Sequence, residues 1–207
     1  MKRPSLTIEQ ELRASGARRI AGVDEVGRGP LAGPVTAAAV VLDLDHIPDG
    51  IRDSKTLSPN RRETICAAIL QSAEVAVAHA SVEEIDEINI LQATFLAMTR
   101  ALNKLGEIPD FALVDGQRLP KDMPCPGRAV IKGDAVCMSI AAASIVAKVT
   151  RDRLMWDLAQ QYPGYGWETN AGYGSKSHMA ALQNLGPSPH HRRSFKPVHN
   201  ILYQEKS

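Results

Sequence analysis

Four acidic residues stand at or near the ends of predicted strands, each beside glycine or just before a glycine-rich turn: Asp24, Glu25, Asp115 and Asp134. If those strands lie side by side in one sheet, the four carboxylates meet. Like charges placed close together are unfavourable unless a cation neutralises them. Hard divalent ions such as Mg²⁺ prefer oxygen ligands, and a pair of such ions can activate a water for phosphoryl transfer. Spacing alone leaves two interpretations open, a metal site and ordinary polar residues that end strands.

The elements that would position these acids follow from the pattern of apolar residues and turn residues. Strands are predicted over residues 19–26, 34–42, 74–80, 110–114 and 128–131. Helices are predicted over residues 59–71, 82–88, 91–105, 139–161 and 176–185. The glycine-rich GRGPLAG makes a hairpin-like connection between the first two strands. This order predicts the α/β class, with a mixed sheet and helices packed on its faces.

Composition excludes several classes of protein. The 207 residues are 44% hydrophobic, which is a globular value, and no apolar run reaches the roughly 18 to 20 residues that a spanning helix needs. The N-terminal segment lacks the apolar stretch of a secretory signal. Cys66, Cys125 and Cys137 are an odd number without metal-ligand spacing, which argues against a disulfide framework and a structural zinc site. We expect a cytoplasmic protein without a membrane partner.

Charge is distributed unevenly along the chain, although its net value is only +1. Residues 148–207 contain eight Lys and Arg against four Asp and Glu, whereas residues 1–147 contain sixteen against nineteen. A basic C-terminal part beside a more acidic body is typical of a protein that binds a polyanion. An ordinary solvated surface gives the same distribution, so charge alone does not decide between the two.

Six sequence blocks carry a resemblance to a known family. The segment GVDEVGRGPLAGPV at residues 22–35 is similar to the signature of ribonuclease HII, and DSKTLS at 53–58 resembles the second block of that family. VDG at 114–116 and KGDAVCMSIAAASIVAKVTRDRLM at 132–155 resemble the third and fourth blocks. The segments YPGYGW, GYGSKSH and HHRRSFKPV resemble the C-terminal blocks. The resemblance covers residues 20–198, and blocks in the right order are not a chance match.

The resemblance implies a ribonuclease H-like mixed sheet flanked by helices, with a small helical C-terminal part. It divides the chain into a catalytic domain, residues 1–160, and a substrate-binding extension of the same compact unit, residues 161–207. The four catalytic acids of the family fall on Asp24, Glu25, Asp115 and Asp134, which would hold two divalent ions, Mg²⁺ or Mn²⁺. These are the same four acids that the predicted strand ends carry.

A set of substrate contacts is also implied by the resemblance. Gly27, Arg28 and Gly29 form the loop that tests for a 2′-hydroxyl, the group that distinguishes RNA from DNA. Tyr173 matches the tyrosine near the junction, where its ring would pack on the sugar of the following nucleotide. Lys55 matches a lysine close to the substrate phosphate. Together these residues imply a preference for a ribonucleotide followed by a deoxyribonucleotide.

Three further residues of the long helix are candidate substrate contacts. Lys148 and Arg151 lie three residues apart on one predicted helix face, from which they could grip the substrate backbone, and Ser139 could contribute a hydroxyl. A solvated helix face is the alternative for the two basic residues. Residues in matching blocks to which no role is assigned are His178, Arg192 and Arg193.

The implied reaction is metal-dependent hydrolysis of a phosphodiester on the 5′ side of a ribonucleotide, which leaves a 3′-hydroxyl and a 5′-phosphate. The implied substrates are RNA–DNA hybrids and duplex DNA that contains single ribonucleotides. A non-catalytic hybrid-binding module on the same fold is the alternative, and a nucleotide-binding protein is a third interpretation that lacks a P-loop motif. The C-terminal ILYQEKS contains no sliding-clamp motif, and a monomer is expected.

Overall fold

Five strands form one mixed sheet in a computed structural model that describes residues 4–203. The strands are β1 (Ile20–Val26), β2 (Val35–Leu42), β3 (Ala73–Ala80), β4 (Phe111–Asp115) and β5 (Gly127–Val130). They are ordered β3-β2-β1-β4-β5, so that β1 lies in the centre. Strand β2 is antiparallel to both β1 and β3, whereas β1, β4 and β5 run parallel. The predicted mixed sheet is confirmed.

Eight helices surround the sheet in the part of the chain that the structure describes. They are α1 (Thr7–Ala14), α2 (Pro59–Ser72), α3 (Val82–Asn103), α4 (Gly133–Val136), α5 (Met138–Gln161), α6 (Trp167–Asn170), α7 (Lys176–Leu185) and α8 (Lys196–Tyr203). Helix α3 covers one face of the sheet, and α2 and α5 cover the other. None of these helices combines the length and the apolar character needed to cross a membrane.

Strand β1 and helix α5 approach each other very closely. Ala141, Ala142 and Ala143 near the start of α5 are fully buried. A Cβ atom at Gly22 of β1 would lie 2.1 Å from the carbonyl carbon of Ser139. Glycine on the strand and small side chains on the helix are what permit this spacing. The alanine-rich start of α5 therefore lies directly against the strand that carries two of the four acids.

Helix α3 begins at a capping box and bends once. The Ser81 hydroxyl accepts a hydrogen bond from the Glu84 N–H, and the Glu84 carboxylate accepts one from the Ser81 N–H. Asn89 has a φ of +68°, and its side-chain oxygen accepts from the N–H groups two and three residues later, as an N-cap does. The helices predicted over 82–88 and 91–105 are thus one helix with a kink between them.

The C-terminal helices pack on the end of α5 and on the loop that joins β1 to β2. Their shared core consists of Leu31, Ala32, Met155, Ala159, Tyr165, Trp167, Leu182 and Val198. Residues from the loop, from α5 and from the C-terminal part therefore bury one another. The extension expected at 161–207 ends in residues 204–207, which lie outside the described residues, as does the end of the ILYQEKS segment.

Four helices were not predicted from the sequence: α1, α4, α6 and α8. Each contains eight residues or fewer, so the 3.6-residue repeat of apolar positions has too little length in which to appear. Helix α1 nevertheless contributes a fully buried carboxylate, because Glu9 inserts beside the start of α5. The longer elements were predicted to within a few residues at each end.

Candidate active site

Two parallel strands bring three of the predicted acids together. Val23 of β1 is paired with Val114 of β4, so the next residue along each strand is an aspartate. One carboxylate oxygen from each of Asp24, Glu25 and Asp115 lies within 4.8 Å of the other two. The predicted convergence of acids from different strands is therefore present in the fold for these three residues.

Burial makes this group of carboxylates electrostatically unfavourable. Asp24 is only 5% exposed, and burial together with the charges of Glu25 and Asp115 holds its pKa well above the ordinary value. Burial also raises the pKa of Glu25, against the opposing charge of Arg28 at 3.4 Å. The pKa of Asp115 is raised by burial and by the nearby Asp134 carboxylate, although a backbone N–H donated to Asp115 opposes this. Carboxylates held this close to one another favour a cation between them.

Asp134 lies beside this group but outside it. The sequence placed it at a strand end, and this is wrong: Asp134 lies in the first turn of α4, after Lys132 has turned the chain with a φ of +54°. The preceding Gly133 donates its N–H to Asp115 Oδ1 at 2.6 Å. The Asp134 Oδ2 atom accepts from Lys55 Nζ at 3.2 Å. The lysine therefore lies against the acidic site, and its role beside a substrate phosphate stays a prediction.

The acids open into a cleft of about 390 Å³. Its lining residues are Asp24, Glu25, Val26, Ser54, Lys55, Asp115, Asp134, Ser144, Lys148 and Tyr173. A second cleft, of about 400 Å³, also includes Glu25 and Asp115, together with Arg28, Gln117 and Arg118. Because two acids line both clefts, the carboxylates lie where the clefts adjoin. A polyanionic strand that passed through both would run over the acids.

Ser144 is a site residue that the sequence analysis missed, and Ser139 was the wrong serine. Ser144 lines the cleft together with Asp24, and its Oγ lies 2.9 Å from Ser54 Oγ. Ser139 is fully buried and donates through both N–H and Oγ–H to Glu9. Five residues along a helix turn the side chain by about 140°, so the two serines cannot face the same way. Ser144 lies four residues before the cleft-lining Lys148, about one helical turn, and therefore on the same helix face. This spacing would have favoured Ser144 over Ser139.

Lys148 and Arg151 do not form a common substrate grip. Lys148 lines the cleft and donates to Asp152 at 2.6 Å. Arg151 is fully buried and donates to the backbone carbonyls of Pro34, Ala171 and Ala32. The prediction that Arg151 holds a substrate phosphate is contradicted by this burial, because the C-terminal part and the β1–β2 loop cover that part of the α5 face.

The glycine-rich loop and the tyrosine lie next to each other. Gly27 has a φ of +94°, a conformation that favours glycine, and a Cβ atom there would lie 2.2 Å from Arg151 Nε. A Cβ atom at Gly29 would lie 3.6 Å from Tyr173 Cε1. The Tyr173 side chain is 44% exposed beside the acids. The fold thus brings together the loop and the ring that the sequence named as separate substrate contacts.

Comparisons with known proteins agree with this geometry. A family model described as Ribonuclease HII matches residues 21–198. A ribonuclease HII from Cereibacter sphaeroides is 65% identical over 99% of this chain and 96% of the relative. A ribonuclease HII from Roseobacter denitrificans is 62% identical over 94% of this chain and 98% of the relative. The ribonuclease H2 structure from Pyrococcus horikoshii OT3 is similar with a TM-score of 0.74 at 31% identity, covering 89% of this chain and 97% of that one.

Proposed function

Because the chain belongs to the ribonuclease HII family and is a ribonuclease, we propose that it cuts RNA in RNA–DNA hybrids and at single ribonucleotides embedded in duplex DNA. The cut falls on the 5′ side of the ribonucleotide and leaves a 3′-hydroxyl and a 5′-phosphate. In the cell this reaction serves to remove ribonucleotides misplaced in DNA and to help remove primers. The observation that carries the proposal is the group of three carboxylates, Asp24 buried and the other two half-buried, in a molecule that sets Gly29 next to Tyr173.

The acidic group suits divalent metal ions, on which the family depends. Its ligands are oxygen atoms only, a donor set that favours Mg²⁺ or Mn²⁺ over softer metals. The raised pKa values of Asp24 and Glu25 reflect buried negative charge, which a cation would compensate. When bound, two such ions supply a more acidic water and stabilise the departing 3′-oxygen. Asp24, Glu25 and Asp115 would hold them, with Asp134 completing the ligand set.

The protein's own side chains position the phosphodiester over these acids. Burial lowers the pKa of the Lys55 ammonium, but the charges of Asp134 and other nearby acids raise it by more. The side chain is therefore cationic at neutral pH. It is largely exposed and adjoins the acids, where a phosphate oxygen can accept its hydrogen bond. Lys148, which also lines the cleft, adds a second positive charge. The two lysines offset the repulsion between the acidic site and a polyanionic substrate.

Selection of RNA rests on the loop and the tyrosine. With no Cβ at Gly27 or Gly29, the loop backbone can come close enough to bond a 2′-hydroxyl. The exposed Tyr173 ring, next to Gly29, is placed to pack on the sugar of the next nucleotide. A 2′-hydroxyl on that second sugar crowds the ring. This arrangement favours a junction from RNA to DNA.

The test is cleavage of a labelled DNA duplex that carries one ribonucleotide, with an all-DNA duplex as the control substrate. With Mg²⁺ the protein should make one cut 5′ of the ribonucleotide, and EDTA should abolish it. Asp24→Asn and Asp115→Asn should lower kcat by at least about a hundredfold, since loss of one electrostatic group at a reacting centre costs that much. Asp157→Asn, an equal charge change at an exposed position of α5, should leave kcat unchanged.

Two results would overturn the proposal. Wild-type turnover in Asp24→Asn would remove the role assigned to the acids. A wild-type protein that shifts the hybrid in a gel but leaves the strand intact with either metal would indicate a binding module instead. Cutting of long hybrids alone would retain the nuclease but remove the role of Tyr173 and the loop 27–29.

A further inference from the structure

Arg192 is fully buried and uses its side chain to hold one loop. Its Nε atom donates to the Gly33 carbonyl at 2.9 Å, and its Nη1 atom donates to the Arg28 carbonyl at 3.0 Å. Its Nη2 atom donates to the carbonyls of both Gly27 and Gly33. Four of the five N–H donors of a guanidinium therefore bind the loop 27–34, which joins β1 to β2.

Backbone hydrogen bonds extend this attachment along the loop. The Arg192 N–H donates to the Leu31 carbonyl at 2.8 Å, and the Gly33 N–H donates to the His190 carbonyl at 2.9 Å. Ala32 and His191 form an isolated antiparallel bridge between these bonds. The loop 27–34 is thus held by the turn at residues 190–192, more than a hundred and fifty residues further along the chain.

The same turn also holds the backbone of Tyr173. His178 Nδ1 donates to the Tyr173 carbonyl at 2.9 Å, which leaves His178 Nε2 as an acceptor for the Trp167 indole N–H. His191 Nδ1 accepts from the Ser188 N–H at 2.9 Å, so His191 Nε2 carries a proton and donates to His178 Nε2 at 3.1 Å. Adjacent residues of one turn thus reach the glycine loop through Arg192 and the tyrosine through His191.

From these contacts we propose that Arg192 is a positioning residue, which fixes the loop 27–29 against Tyr173 and so sets the preference for a ribonucleotide–deoxyribonucleotide junction. This inference rests on the proposed function, in which loop and ring read adjacent sugars. The spacing that must be held is the one between Gly29 and the Tyr173 ring, where a Cβ atom on the glycine would lie 3.6 Å from Tyr173 Cε1. Arg192 does not reach the acids, and its effect passes through the carbonyls that it binds.

A purely structural role accounts poorly for a cation at this position. Among the ion pairs of residues 4–203, none includes Arg192. Burial and the nearby Arg151 lower the pKa of Arg192 to about 9, so the side chain remains charged at neutral pH. Burying a charge without an ion-pair partner costs free energy. What this buried charge does is hold the loop carbonyls in one orientation.

The test compares Arg192→Lys with the wild type on two substrates, a duplex with one ribonucleotide and a continuous RNA–DNA hybrid. Lysine keeps the charge but lacks the planar fork that reaches several carbonyls at once. For the single ribonucleotide, kcat/KM should fall by about tenfold to a hundredfold, as misplacement of groups by about 1 Å can cause. A continuous RNA strand offers a 2′-hydroxyl in every register, so its kcat/KM should change by less than about threefold.

Arg193→Lys is the matched control, because this neighbouring arginine is exposed and its backbone N–H binds Asp86 rather than the loop; it should leave kcat/KM unchanged on both substrates. Thermal unfolding of each variant establishes that it is folded. If Arg192→Lys does not fold, Arg192→Gln, which keeps N–H donors for the loop carbonyls but lacks the planar fork, is measured in the same way with the same expected result.

Three outcomes would overturn the inference. Equal losses on both substrates would indicate a general structural role for Arg192. Unchanged kcat/KM values on both substrates in a folded variant would show that the loop does not need this arginine, while the proposed function would stand. A wild-type protein that never cuts at a single ribonucleotide would overturn the proposed function and this inference with it.

Discussion

At the scale of residues, the three grouped carboxylates oppose folding. Burial raises the pKa of Asp24, Glu25 and Asp115, and repulsion within the group adds to the effect. An acid whose pKa is higher in the folded state stabilises the protein below its ordinary pKa and loses that contribution as pH rises. At neutral pH the site therefore lowers the free energy of unfolding unless a cation is present.

Asp24→Asn should accordingly make the protein more stable while removing activity. In EDTA at pH 8 the free energy of unfolding should rise by about 1 to 2 kcal/mol, the usual gain when an active-site conflict is removed. The gain should shrink as pH falls, because the wild-type carboxyl then becomes neutral as well. Urea unfolding at several pH values measures this, and a variant less stable than the wild type in EDTA would contradict it.

Magnesium should reverse the order of stability between these two proteins. Millimolar Mg²⁺ should raise the Tm of the wild type, because an ion that binds only the folded state stabilises it. It should leave the Tm of Asp24→Asn nearly unchanged. Asp157→Asn, the exposed control, should respond to the ion as the wild type does.

The sequence identified the acids but not the environment of every residue near them. Acids beside glycine at strand ends can be recognised in the sequence. The pairing of β1 with β4 then places Asp24 next to Asp115. The burial of Arg151 and Ser139 depends on contacts with residues 9, 32 and 171, which are distant in the sequence. No local pattern reports such contacts, so both residues were assigned to the substrate in error.

At the scale of elements, the sheet and the long helix were predicted because their patterns are long. The run of Val and Ala at 35–42 is typical of a strand buried on both faces, and β2 is buried at almost every position. The short helix α4 is different, since four residues form it only where Lys132 turns the chain and Gly133 bonds to Asp115. The position of Asp134 therefore could not be inferred from its own segment.

The contact between β1 and α5 should tolerate no side chain at residue 22. Gly22→Ala places a Cβ atom about 2 Å from backbone atoms of Ser139, and backbone in a packed helix cannot yield cheaply. We expect the free energy of unfolding to fall by about 3 kcal/mol, at the upper end of overpacking costs. Urea denaturation measures the change.

Gly106→Ala is the control for this substitution, because the nearest atom to its added Cβ is a side-chain oxygen 3.4 Å away. It should change the free energy of unfolding by less than about 0.5 kcal/mol, as surface substitutions usually do. If both alanine variants had similar stability, the close approach of β1 and α5 would not be the constraint that the structure indicates.

At the scale of the whole molecule, two buried histidines join the C-terminal helices to the rest of the protein. Burial lowers the pKa of His178, and burial together with the adjacent His178 lowers the pKa of His191 to about 4. Both rings lie edge-on or tilted against Trp167 and Tyr165, which belong to the same core as Leu31 and Ala32. The neutral form of each ring is the one that its hydrogen bonds require.

Stability should therefore decline in mildly acidic solution. A histidine with a lowered pKa in the folded state binds protons more readily when unfolded, so its stabilising contribution is complete above about pH 6.5 and is lost as pH falls toward about 4. The expected loss is about 2 to 3 kcal/mol over that window. His191→Asn should be less stable at pH 8 but show a shallower decline below pH 6.5.

Unfolding in urea across pH 4 to 8 checks this behaviour. His46→Gln, which replaces a largely exposed histidine, should follow the wild-type profile throughout. An equally steep decline in His191→Asn would assign the acid sensitivity to other groups.

The attachment of the loop 27–34 by Arg192 also affects the order in which a growing chain gains its properties. All four acids have been synthesised once residue 134 is added, whereas the guanidinium that holds the glycine loop arrives 58 residues later, by the numbering of the chain. Since contacts between such distant residues form late, an emerging polypeptide carries its acids before it carries the arginine to which we assign the preference for a junction. On that assignment, the preference for a ribonucleotide–deoxyribonucleotide junction is the last property that the molecule acquires during its synthesis.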